Sequence, residues 1–337
     1  MLVKTLKKTV ATLFMLFGAI VATSCGGSPD SGIEPFNGVY YWRTTFKLDS
    51  AERAFLSENG VNKMYVRFFD VDLNPDTMSV EKCVPVATID FADTFPQGVE
   101  IVPTVFITPQ AIVHYRDFAK LLARRLYAMC DSYHIAPNEV QFDCDWTGTT
   151  RDSFFAFLEE IRVSLVYYFE EIRISSTIRL HQLQQPPPPV DEGVLMCYNT
   201  GNFRDFRTKN SILDRDDVEP YMKYLKSYDL PLSFALPVYS WNVEFDRHKN
   251  FLRLDNGQYD FSDTNTFKPL GNNTYLRKQE GEPDIYIRCE SVAASTILEV
   301  KEMLRKNRGH NSNIILYHLD SQQIKKYSKD EIADFYR

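Results

Sequence analysis

The chain has 337 residues, with 38 lysines and arginines against 45 aspartates and glutamates, for a formal charge of −7. That acidity leaves no basic stripe for a nucleic-acid backbone and no polybasic membrane patch. The length suits one large α/β domain or two smaller ones, and a hydrophobic content of 44% can supply the core.

In chain order, Lys4, Lys7 and Lys8 precede an apolar run from Val10 to Val21, which ends in Ala22, Thr23, Ser24 and Cys25. The run is too short to span a bilayer comfortably, so residues 1–24 are expected to be an export signal. A cysteine directly after small residues resembles the lipobox of bacterial lipoproteins. That resemblance implies removal of residues 1–24 and acylation of the Cys25 thiol, with two or three chains giving stable anchoring. The alternative is an ordinary cleaved signal beside a chance cysteine. Loss of three lysines moves the formal charge from −7 to −10. Residues 25–36, including "GGSPDSGIE", have linker composition and would tether the body to a bacterial envelope, at the outer membrane or cell surface. The remaining cysteines, Cys83, Cys130, Cys144, Cys197 and Cys289, are odd in number and set mostly in apolar runs. They form neither a disulfide framework nor a zinc pattern.

Strand-like and helix-like segments then alternate. Strands are expected at 38–46, 63–73, 100–108, 139–146, 171–183, 193–201, 232–241 and 313–320, with a side strand at 83–91. Helices are expected at 50–59, 111–133, from about Thr150, at 218–228 and at 291–307. Phe118, Leu122, Leu126 and Met129 form one helical stripe, and Phe154, Phe157, Leu158, Ile161 and Leu165 another. Residues 247–290 are polar, rich in Asn and Gly, and hairpin-like. Eight such units predict a (β/α)8 TIM barrel over 37–337, with a small β-rich insertion at about 247–290 between strands seven and eight. A doubly wound open sheet would carry a glycine-rich turn after the first strand, and "GVYYWRTTF" has none.

Barrel chemistry gathers at the C-terminal strand ends. Those ends offer Trp42 and Arg43, Asp70 and Asp72, Thr108, then Asp143, Asp145 and Trp146. Arg179 and His181, Tyr198 and Asn199, Tyr239 and Trp241, and His318 and Asp320 follow. Asp143 and Asp145, at i and i+2, point to one side of their strand, and two like charges buried together are costly. Carboxylates with flat rings suit a glycan, because rings stack on apolar sugar faces while carboxylates bond hydroxyls.

Asp143-Cys144-Asp145-Trp146 resembles the Asp-x-Asp-Trp core of family 18 chitinases. "LMCYNTG" (195–201) is similar to that family's Met-x-Tyr-Asp motif, with Asn199 at the aspartate. "ALPVYSW" (235–241) and "IILYHLDSQ" (314–322) are similar to its last two strands. The resemblance implies the barrel, the insertion and a sugar ligand. It breaks where the family's acid-donating glutamate would stand, which is Thr147, and a threonine hydroxyl is no general acid near neutral pH. The family's strand-three Ser-x-Gly-Gly is also missing.

Several readings stay open. A hydrolase would use Asp143 or Asp145 as acid, with Asp70, Asp72 or Asp320 opposite as base or nucleophile. A binding protein would need only Trp42, Trp146 and Trp241 as platforms, with Arg43, Asp72, Arg179, His181, Tyr198, Asn199, Tyr239 and His318 as polar and aromatic contacts. An envelope scaffold is a third reading, and a divalent cation at Asp70/Asp72 and Asp143/Asp145 a fourth. The expectation is a monomer that takes no cofactor or metal. Whether Arg179 pairs with Asp143 or Asp145 is open at this level.

Overall fold

The computed structural model describes residues 35–278, 283–309 and 312–337. The expected signal (1–24), the lipidation site Cys25 and all but the end of the 25–36 tether lie outside the described residues.

The long apolar runs form strands buried on both faces. These are β1 (Asn37–Tyr41), β2 (Val61–Leu73), β3 (Glu100–Ile107), β4 (Glu139–Asp143), β5 (Arg173–Arg179), β6 (Glu192–Met196), β7 (Leu232–Pro237) and β8 (Ile314–Tyr317). Each pairs in parallel with its sequence neighbours, and β1 also pairs with β8, closing an eight-stranded TIM barrel. Helices cover it. Tyr115–Ser132 buries Phe118, Leu122 and Leu126, and Arg151–Leu165 buries Phe154, Phe157, Leu158 and Ile161, the stripes expected from periodicity. The helix expected at 218–228 breaks into turns of three or four residues around Pro220, which has no N–H to continue a helical ladder.

The insertion is a five-stranded antiparallel sheet. It runs from Ser240–Phe245 through Phe251–Asp255, Phe267–Gly271 and Thr274–Arg277 to Ile285–Ser291. It starts earlier than residue 247, because β7 stops at Pro237. Trp241 therefore belongs to the insertion and not to the tip of strand seven. Cys83–Val86 extends the far end of β2 as an antiparallel partner.

The end of the barrel where the strands begin is sealed by charge. Lys63 Nζ lies 2.9 Å from Glu139 Oε2 and 3.5 Å from Glu100 Oε2, and Ser233 Oγ donates to Glu192 Oε1 at 2.6 Å. Burial, and then the charge of Glu139, push the Glu192 carboxyl up to about 7. The folded chain thus holds a proton that the unfolded chain gives up near 4.5. Stability contributed there is complete below that value and is lost as pH rises toward 7. Glu192→Gln keeps an acceptor for Ser233, so it is expected to flatten the decline between about pH 5 and pH 8, by roughly 3 kcal/mol at the limit. Urea denaturation at both pH values checks this, and parallel wild-type and variant slopes would remove Glu192 as the cause.

Candidate functional site at the barrel mouth

The inner face of β4 reads Glu139, Gln141, Asp143, and the inner face of β5 reads Ser175, Thr177, Arg179. The pairing of Phe142 with Ser176 sets Asp143 beside Thr177, whose Oγ1 donates to Asp143 Oδ1 at 2.5 Å. Asp145 lies beyond the end of β4 and is about half exposed. Arg179 Nε donates to Asp145 Oδ1, and the same guanidinium stands 3.8 Å from Asp143 Oδ1. Arg179 therefore serves both carboxylates and is closer to Asp145.

Burial pushes the Asp143 carboxyl up to about 6, Arg179 works against that rise, and the charge of Asp145 adds to it. Burial opposes the charge on Arg179, yet the two aspartates hold its guanidinium protonated beyond the usual arginine range. Below the pair, Tyr40 Oη donates to Gln141 Oε1 at 2.8 Å and Gln141 Nε2 donates to Ser175 Oγ at 3.2 Å.

On β2, Arg67 grips Asp70 with two hydrogen bonds, Nε to Oδ1 at 2.7 Å and Nη2 to Oδ2. Residues three apart on a regular strand face opposite sides. Here Arg67 pairs with Thr104 and Phe69 with Val105, so Phe68 is an extra residue, and this bulge returns Asp70 to the side of Arg67. Arg67 also lies 5.5 Å from the ring centre of Trp42.

Rings line the floor. Tyr198 and Tyr317 stack at 4.4 Å, and Tyr317 lies 5.6 Å from Tyr40, 5.6 Å from Tyr239 and 6.3 Å from Trp42. Tyr239 donates to Asn199 Oδ1 at 2.6 Å and meets Trp241 at 5.4 Å. Arg179 stands 5.9 Å from the Tyr198 ring centre. Asp143, Asp145, Arg179, Tyr198, Asn199, Tyr239, Trp241, Trp42 and Asp70 thus form one linked group.

Other expected residues fall elsewhere. Trp146 is 0% exposed and packs edge-on against Phe155, so it is no platform; the chain turns after Asp145 and sends the indole into the core. His181 does not share the face of Arg179, because β5 ends there and His181 projects to solvent from the 3-10 turn Leu180–Gln184. Arg43 is bound to buried Glu52 at 2.6 Å and to Asp320 at 2.9 Å, and Asp320 also caps the turn Ser321–Ile324. These two residues tie β1 to the chain after β8. Asp72 accepts from Thr108 Oγ1 at 2.9 Å, near the hairpin edge. His318 is partly buried, and burial pulls its imidazole down to about 4, so it is neutral at pH 7. Thr147 is exposed, with its Oγ1 2.9 Å from that of Thr149.

Arg67, Thr177, Tyr40 and Tyr317 complete the group without having been singled out in the sequence. Thr177 had the right parity, two residues before Arg179. Tyr317 adjoins His318 at the end of β8, and the bulge puts Arg67 out of phase with Asp70 in the sequence. Among the described residues, no three His, Cys, Asp or Glu side chains come together as a metal site.

No family model and no curated sequence matches the chain. Its structure is similar to the spore cortex-lytic enzyme SleL of Bacillus cereus, at a TM-score of 0.54 and 14% identity over 90% of this chain and 75% of that one. It is also similar to a chitinase-like agglutinin of Robinia pseudoacacia (0.51, 13% identity, 89% and 98%). A mutant family 18 chitinase of Cycas revoluta, solved in complex with (GlcNAc)4, gives 0.51 at 9% identity over 89% and 98%. The barrel has the fold of the family 18 chitinases and chitinase-like proteins.

Arg179→Met leaves Asp143 buried without its cation. The expected loss is about 3–5 kcal/mol near pH 8, where Asp143 is ionised, and less near pH 5, where it takes up a proton. Chemical denaturation at the two values checks this; an equal loss at both would mean that packing, not charge, holds Arg179 in place.

Proposed function

We propose that the barrel mouth binds a glycan without cleaving it, on a lipoprotein anchored in the bacterial envelope through Cys25. The observation that carries this reading is the engagement of Asp143 and Asp145 by one arginine. A glycosidase needs a protonated acid free to reach the glycosidic oxygen, and a second carboxylate opposite. Burial raises the pKa of Asp143 to about 6, but the residue is 3% exposed and bonded to Thr177. Asp145 is the accessible member and is ion-paired. Across the mouth, Asp70 is gripped by Arg67, and Asp320 by Arg43 and a helix cap. Binding needs less: the partly exposed rings of Trp42, Tyr317 and Trp241, and polar groups held ready for hydroxyls. The chitinase-like agglutinin is a relative in fold that fits this reading, and the (GlcNAc)4 complex makes that oligosaccharide the first probe.

Calorimetry on the full chain in detergent should show (GlcNAc)4 binding, weakened about tenfold in Trp42→Ala, since losing one stacked ring removes on the order of 1 kcal/mol or more. Prolonged incubation should release no new reducing ends. Release that disappears in Asp145→Asn would establish a hydrolase instead. Cys25→Ala should move the protein from the membrane fraction to the soluble one and abolish incorporation of radiolabelled palmitate; retention of either property would remove the lipid anchor from the proposal.

A further inference from the structure

Outside the barrel, the insertion sheet buries an ion pair that the glycan-binding reading has not used. Glu290, 2% exposed, lies opposite Trp241 in the pairing of Ser240–Phe245 with Ile285–Ser291. Its Oε2 accepts from Trp241 Nε1 at 2.7 Å, from Ser211 N at 3.0 Å and from Ser211 Oγ at 2.5 Å. Its Oε1 accepts from Arg288 Nε at 2.6 Å. The other arms of Arg288 donate to Asp205 O at 2.8 Å and Phe203 O at 3.1 Å, and Asn210 Nδ2 donates to Ser291 O at 2.8 Å. The segment that follows β6 is thereby stitched to the insertion, with Phe203 set edge-on to Trp241 at 6.1 Å.

A buried ion pair is a poor source of stability, because desolvation of both charges offsets their attraction. What the arrangement supplies is geometry. Four donors converge on one carboxylate and fix a half-buried indole that borders the mouth through Tyr239. A ring already fixed loses no rotamer freedom when a sugar stacks on it.

We infer that Glu290 is a positioning residue for glycan binding: through the Trp241 N–H it holds that ring as a preformed platform, and through Arg288 it fixes the 203–211 segment as the wall beside it. This deepens the glycan-binding reading and rests on it. Glu290→Gln keeps size and shape but presents an amide N–H to one of the four donors, so the set cannot be satisfied.

The test has two arms on the full chain in detergent. The three tryptophans give three indole N–H resonances in a nitrogen-15 spectrum, assigned by Trp→Phe replacements. Glu290→Gln is expected to shift the Trp241 resonance and speed its hydrogen exchange, while Trp42 and Trp146 stay in place. The same variant should raise the dissociation constant for (GlcNAc)4 about tenfold, the expectation for losing one hydrogen bond to a charged group. Adding Glu290→Gln to Trp241→Ala should weaken binding no further, because the two act through one ring. An unmoved Trp241 resonance would overturn the inference, and so would a moved one with unchanged affinity. Wild-type protein that binds no oligosaccharide would end the glycan reading and the platform role with it, while the indole resonance still decides whether Glu290 holds the ring. If Glu290→Gln fails to fold, Trp241→Phe, which keeps a ring without the N–H, supplies the affinity comparison; unchanged affinity there would also overturn the inference.

Discussion

Two carboxylates can share the end of β4 and the turn beyond it because Arg179, on the neighbouring strand, places one guanidinium against both. The chain gains no hydrophobic burial from this arrangement, and the charges are costly to desolvate. The benefit is a fixed mouth, in which Asp143 is pinned by Thr177, Asp145 by Arg179, and Arg179 is set beside the face of Tyr198. From that centre the ring contacts run to Tyr317, Trp42 and Tyr239, so the position of each aromatic depends indirectly on the same cation.

The pattern repeats around the rim. Asp70 has Arg67, Asp320 and Glu52 share Arg43, and Glu290 has Arg288. A bidentate or bridging guanidinium satisfies several carboxylate lone pairs at once and keeps its charge at any physiological pH. Carboxylates held in this way act well as hydrogen-bond acceptors for hydroxyls and poorly as proton donors.

The barrel was legible in the sequence because its signals are redundant: apolar runs of strand length, helical stripes such as Phe154, Phe157, Leu158 and Ile161, and eight repetitions. Asp143, Arg179, Tyr198, Tyr239 and Trp42 were legible because each lies on, or just past, a regular strand whose alternation carries to its end. Sequence pattern and backbone part company where the chain departs from that alternation. His181 follows the switch from strand to 3-10 turn, Trp146 follows the turn after Asp145, and Trp241 belongs to a different sheet. Arg43 and Asp320 lie at the expected end of the barrel, but the bond between them joins residues more than 200 positions apart in sequence, a relation that no local pattern encodes.

The extra residue at Phe68 has a wider meaning for β2. Before it, the odd-numbered Lys63, Tyr65 and Arg67 look inward; after it, the even-numbered Asp70 does. One strand therefore speaks two phases, supplying a cation to the sealed base and an acid–base pair to the open rim without either demand dictating the other. Selection can rewrite the ligand-facing letters of this strand while the letters that close its foot stay as they are.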